Sequence, residues 1–329
     1  MVQKFLLLLL VLITKACPTV GGQAVMEGVM MRNGARYALA VRLADGSIVA
    51  ESFPWFSLAR GILKKPFLRG FPVLIETMVN GIKALNASAQ RVAEGEAEKI
   101  EGWHLVLTLC IALGMAVALF VVTPHVLSLG MQFLGLGGTV EGLSFHLWNG
   151  FYKCAIFVGY IAAISFVPDI QRVFQFHGAE HKVIHAFEHC PEISVNSAAA
   201  MSRLHPRCGT TFVLFVISIS IFLHALLVPL LLYFWTPEGA VAKHVVTLIF
   251  KLALIVPISA LAYELIRFAG RMQEGLAATL LRAPGLALQR LTTREPAQEH
   301  VEVALVALRE ALGDQAPEML LTPTYSCVE

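Results

Sequence analysis

Long apolar runs, broken by short polar stretches, dominate the chain beyond its first hundred residues. Four of them, 104–134, 147–168, 211–235 and 245–266, are each near or above the ~20 residues a helix needs to cross ~30 Å of hydrocarbon. Core helices of a soluble bundle would carry polar faces at helical period. Phe212–Trp235 is interrupted only by Ser218, Ser220, His224 and Pro229. Trp148 and Tyr152 supply interfacial anchors to the second run, and Lys153 can snorkel toward headgroups. The pattern predicts an α-helical integral membrane protein with four transmembrane helices and a small cytoplasmic α+β region.

The shorter periodicities lie outside these runs. Asn33-Gly34 and Asp45-Gly46 are hairpin dipeptides separating Gln23–Arg32, Tyr37–Ala44 and Ile48–Phe53, a three-stranded meander with partial alternation. From Ser57 to about Ala97 the period turns helical: Leu63, Phe67, Phe71, Leu74, Ile75 and Met78 repeat with Gly70 and Pro72 between them. This segment either lies on a membrane surface or packs on the meander. After a mixed stretch, Glu274–Leu291, Pro296 opens a last helix with the stripe Val301, Ala304, Leu305, Leu308 and Leu312. The residues after Gly313 are expected to fray. The divisions are an apolar leader 1–19, a region 20–103, a helix pair 104–168, a polar loop 169–210, a helix pair 211–266 and a tail 267–329.

Composition agrees: 57% of residues are apolar and 15% charged, with a mean hydropathy of +0.69. Charge orients the chain. Lys and Arg number ten between 18 and 103, four in 169–210 and six after 266, against none in 135–146 and one in 236–244. This asymmetry puts the N-terminal region, the polar loop and the C-terminus in the cytoplasm. A net charge of +2 leaves no basic cluster suited to nucleic acid; the expected partner is the lipid bilayer, and a homo-oligomer fits four spans. None of the six cysteines shows C-x-x-C spacing, and disulfides are not expected. Lys4 and the apolar Phe5–Ile13 have the shape of a signal-peptide core, but cleavage there would export ten positive charges, so a non-native start or an extra membrane-associated segment is favoured over export.

Five of the eleven histidines fall between 177 and 205. His177-Gly-Ala-Glu180-His181 has H-x-x-E-H order, the inverse of the H-E-x-x-H of zinc peptidases. On a helix Glu188 falls about 20° from His177, and His181 and His185 about 40° and 80° from it. One face then offers imidazoles and a carboxylate, ligands for a divalent ion, zinc above all. His177 and His181 lead; Glu188, His205 or Cys208 could complete the shell. Glu180, about 60° from the His177 direction, is placed for a general base. Glu27 or Arg207 could handle substrate, and Glu264 has either Arg267 or the metal site as partner. The competing reading is a helix of solvated His, Glu and Lys residues on the membrane surface.

Val20-Gly-Gly-Gln-Ala-Val-Met-Glu-Gly-Val-Met-Met-Arg32, His177-Gly-Ala-Glu-His-Lys182 with Glu188, His205-Pro-Arg-Cys-Gly-Thr210, Tyr263-Glu264 and Leu291-Thr-Thr-Arg-Glu-Pro296 together resemble the YqhQ-like family. This is a family of bacterial membrane proteins of unknown function, labelled a predicted metal-dependent enzyme. The resemblance covers about residues 20–312 and implies a multi-pass protein of the bacterial inner (cell) membrane. Glu27, His177, Glu180, His181, Glu188, His205 and Cys208 match its motifs, whereas His185 and His189 do not. The resulting expectation is a metal-dependent hydrolase, with zinc as its ion, at the cytoplasmic face of the membrane. Its rival is a non-enzymatic transporter or metal-sensing scaffold using Glu264, His224 and Lys251 as a polar path.

Overall fold

A computed structural model describes residues 20–93, 102–272, 275–318 and 320–327. The apolar leader 1–19 and the expected end of the amphipathic helix at 94–97 lie outside them.

The N-terminal region is a sheet of order β1-β2-β3-β4-β5: Gly21–Val25, Gly28–Asn33, Arg36–Arg42, Ile48–Pro54 and Ser326–Cys327. The first four pair antiparallel and the last joins β4 in parallel. Gly34 and Gly46 take the left-handed conformations that their turns need, at φ 59 and 86. The expected single strand Gln23–Arg32 is instead a hairpin: Val25 pairs with Gly28, and Met26-Glu27 form the turn with Glu27 at φ 51. Without Gly or Asn at that turn, no dipeptide signal marked it. The chain past Gly313 is not wholly frayed either, since Leu320 bridges Ile193 and Ser326–Cys327 complete the sheet. A two-residue strand is too short to leave a period.

Both faces of the sheet are covered, which is why alternation was only partial. On one face Val29, Met31, Ala38, Ala40, Ile48 and Ala50 join a core with Phe176, Ala179, Val183 and the last helix. On the other, Val25, Met30, Tyr37, Leu39, Val41 and Trp55 meet Ala84. That alanine belongs to α1, Gly70–Ala93. Leu63 and Phe67 lie outside this helix, Leu63 in a 3-10 turn at Gly61–Lys64 and Phe67 at a left-handed φ of 63. The buried carboxylate of Glu76 ties the approach to α1. It accepts the Trp55 indole N–H, the Ser57 hydroxyl and the amides of Leu58 and Ala59. Burial works to raise this carboxyl, but those donors outweigh it and hold it below its ordinary value.

Four helical stretches are long and apolar enough to cross a membrane: Cys110–Phe133, Leu143–Ile164, Gly209–Phe234 and Ala240–Gly270. The first comprises α2 (Gly102–Val117, in part), a π turn at Ala118–Val122 and α3 (Thr123–Phe133). The second is α4, Leu143–Ile164. The polar loop that follows is largely helical, with α5 at Pro168–His189 and a single turn, α6, at Val195–Ala199. Pro168 sits in the first turn of α5 beside Asp169, and Pro191 follows its last residues, positions that start and stop a helix. The third stretch is α7, Gly209–Phe234; the fourth is α8 (Ala240–Ala253) and α9 (Ile255–Arg271), divided at Leu254. Then come α10, Leu276–Thr292, and α11, Gln298–Leu312. Beyond its expected stripe, α11 buries His300, Val303, Val306 and Ala307, because it runs between the sheet and α5.

Candidate metal centre

The site gathers around one face of α5, where β1, α10 and the turn before α7 converge. Gly178 makes the approach possible. A Cβ there would come within 2.2 Å of the Arg294 carbonyl, so only glycine lets α5 lie against the segment after α10. The Arg294 amide donates to the Phe174 carbonyl and ties the same two segments together. Gly22 plays a similar part on β1: a Cβ would meet the Glu180 carboxylate at 2.8 Å.

With α5 seated, His177 and His181 stand over Cys208, which caps the N-terminus of α7. One nitrogen of each imidazole and the thiol sulfur lie within 4.8 Å of one another. His177 Nδ1–H donates to the Thr292 carbonyl at 2.8 Å, and Nε2 lies 3.2 Å from Cys208 Sγ. His181 Nδ1–H donates to the Arg203 carbonyl at 2.6 Å, and its buried Nε2 has no hydrogen-bond partner. Carbonyls cannot donate, so each ring is fixed with its proton on Nδ1 and its Nε2 lone pair facing the sulfur. Burial pushes His181 below its ordinary pKa, which keeps that lone pair free. The partial positive charge of the α7 N-terminus faces the sulfur.

Glu180 is buried in the same cavity, of about 360 Å³, whose walls include β1, His205, Arg207 and Thr210. Burial raises its carboxyl above the ordinary value, against the pull of His177, His205 and the Gly22 amide. His205 lines the cavity but is turned elsewhere. Its Nδ1 accepts the Arg207 amide, and its Nε2 faces Glu188 at 3.4 Å. Burial holds His205 down at about 4, so this contact is a neutral imidazole donating to a carboxylate.

Of the candidates from the sequence, His177, His181 and Cys208 converge and Glu180 adjoins them. Glu188 does not join this group; it pairs with Arg207 and His205. Glu27 is also elsewhere, at the hairpin turn, held by Arg172 of α5. The left-handed turn swings its carboxylate past the end of the strand, so it does not line the cavity. Glu264 meets neither Arg267 in an ion pair nor the site; it forms a two-pronged pair with Arg69, at 2.8 and 2.7 Å. His185 donates to the Leu204 carbonyl. The sequence did not point to Gln289, whose buried amide bonds both the N–H and the carbonyl of His205 at 2.8 Å and so fixes the turn that carries Cys208. Nor did it give a purpose to the carbonyls of Arg203 and Thr292. Backbone acceptors leave no residue-type signal, although Leu291–Pro296 stood out as a motif.

The chain matches the family described as "Protein of unknown function (DUF1385)" over residues 65–314. It is 36% identical over 321 residues to "Uncharacterized protein YqhQ" of Bacillus subtilis (strain 168), an alignment spanning 92% of this chain and 95% of that relative. No solved structure matches it.

Proposed function

The chain belongs to the DUF1385 family of unknown function, and from the site alone we propose a metal-dependent hydrolase, zinc its ion, at the cytoplasmic face of the bacterial inner membrane. What carries the reading is the His177–His181–Cys208 convergence, with both Nδ1 atoms committed to carbonyls and His181 Nε2 buried without a partner. An orphaned buried acceptor is costly, and a metal ion relieves that cost. Tetrahedral zinc places N and S ligands about 3.3–3.8 Å apart; His177 Nε2 and Cys208 Sγ are 3.2 Å apart, and the three donor atoms lie within 4.8 Å of one another. Three protein ligands leave a fourth position open, the pattern of a catalytic rather than a structural site. Bound there, the ion supplies Lewis-acid polarisation. Glu180 takes the proton from the attacking water and passes it to the leaving group. Arg207, on the same wall and paired with Glu188, is the cation a substrate would meet.

Cobalt in place of zinc tests the ligand set. The loaded protein should show a thiolate-to-metal absorption band that Cys208→Ser removes. Glu180→Gln should keep the band and lose hydrolysis of a panel of ester and amide substrates. Wild-type protein inert across that panel would favour the metal-sensing scaffold instead, and Glu180→Gln as active as an active wild type would remove the general-base role. In this reading the four apolar helices span the membrane with both termini cytoplasmic. An impermeant thiol reagent applied to intact cells should reach a cysteine placed in 135–146 and leave Cys190 untouched.

A further inference from the structure

Farther along α7 from Cys208, the four long helices line a second cavity, of about 230 Å³. Most of its wall is aliphatic or aromatic, but Lys153, Ser220, His224 and Lys251 also line it. All four are more than nine-tenths buried. Lys153 Nζ donates to Ser220 Oγ at 3.1 Å and approaches His224 Nδ1 at 3.4 Å; Lys251 Nζ donates to His125 Nδ1 at 3.1 Å. His125 in turn meets His244 at 3.2 Å. These partners are all neutral acceptors. No Asp or Glu lines the cavity, and among the described residues none pairs with either lysine. The carboxylate within these helices, Glu264, is engaged by Arg69, and Glu141, in the turn before α4, by Lys243. His224 Nε2 is buried with no hydrogen-bond partner.

Two amines in an apolar cavity with no counter-charge make an expensive arrangement. The backbone is broken around it as well. The π turn at Ala118–Val122 contributes Phe120 and Val121, and the break at Leu254 lies between Lys251 and Ile255. Irregular backbone of this kind inside apolar helices tends to mark a site.

The geometry points to a binding site for the anionic head of a long-chain amphiphile, with Lys153 and Lys251 as its counter-charges and His224 Nε2 as a hydrogen-bond donor. The walls decide between such a ligand and a water-soluble anion. Val213, Leu252 and Ile255 line the cavity and are 40%, 38% and 46% exposed on the outer, apolar surface of the helices. The cavity therefore opens sideways through hydrocarbon-facing residues, where an alkyl chain can lie. The head completes the ion pairs that the protein lacks, and the chain occupies the apolar wall. A carboxylate and a phosphate share this chemistry.

Native mass spectrometry of the full-length, delipidated protein tests this with three added amphiphiles: oleate, dioleoylphosphatidylglycerol and oleyl alcohol. A retained oleate or phosphatidylglycerol adduct, with oleyl alcohol not retained, supports the site, and whichever anion is held identifies the head as carboxylate or phosphodiester. Lys153→Met with Lys251→Met should weaken that adduct by about thirty-fold or more, the scale of removing a buried charge partner. His224→Leu should weaken it less. The wild-type comparison needs no variant, so a misfolded double mutant leaves the test intact. Oleyl alcohol held as well as the anions, or an undiminished adduct on a folded double variant, would overturn the assignment.

Discussion

Two buried clusters of nitrogen-bearing side chains lie in this molecule, and they are satisfied in opposite ways. Beside the sheet, His177 and His181 each hand one proton to a fixed carbonyl, which leaves two lone pairs aimed at Cys208. Among the long helices, Lys153 and Lys251 hold protons with only neutral acceptors to receive them. The first cluster is rich in electron pairs and calls for a cation; the second is rich in protons and calls for an anion. The physical lesson is that burial alone does not name a ligand, whereas the direction of each hydrogen bond does.

The contrast can be broken most forcefully at Gly178. Gly178→Val should push α5 off the Arg294 carbonyl, cost about 3 kcal/mol of stability and abolish the proposed metal binding together with the fold around it. Thermal melts and metal content of the same preparation check both effects. An unchanged melt would mean that the close approach of the two segments does not support the site.

Among the helices, the same kind of change should act in the other direction. Lys153→Met with Lys251→Met removes two uncompensated amines, so delipidated protein should become more stable, by about 1 kcal/mol or more. A clear fall in melting temperature would show that the amines are satisfied without an anion. The smallest effect is expected at Glu27. Its pair with the half-exposed Arg172 places Glu27→Gln at about 1 kcal/mol or less, with metal content unaltered. Lost metal in Glu27→Gln would return that carboxylate to the site.

The helical part of this architecture was legible because hydrocarbon thickness imposes a length that any apolar run displays. The four stretches in the structure start and end within a few residues of those in the sequence, the largest differences being the first, which begins later at Cys110, and the fourth, which begins earlier at Ala240. The sheet was legible at Asn33-Gly34 and Asp45-Gly46, where the turn demands particular residues. It was not legible at Met26-Glu27, where a non-glycine residue holds the left-handed turn, nor at Ser326–Cys327, whose pairing is set by tertiary return. In the site, helical spacing brought His177 and His181 together on paper, and the same argument put Glu188 beside them. Arg207 and His205 draw Glu188 away, a competition that spacing on one helix cannot register. Lys153 stands near the start of a run, a position from which a side chain can snorkel, yet it turns inward to Ser220 and His224. Which way a side chain faces in an all-apolar helix has no period to disclose it.

The central claim is that His177, His181 and Cys208 hold a metal ion. Its most direct test is the zinc content of purified protein, measured by elemental analysis beside His177→Ala plus His181→Ala, with circular dichroism to establish that both are folded. One bound zinc per wild-type chain, absent from the folded double variant, is the expected result. Equal zinc in both, or none in a wild-type protein supplied with zinc, would contradict it.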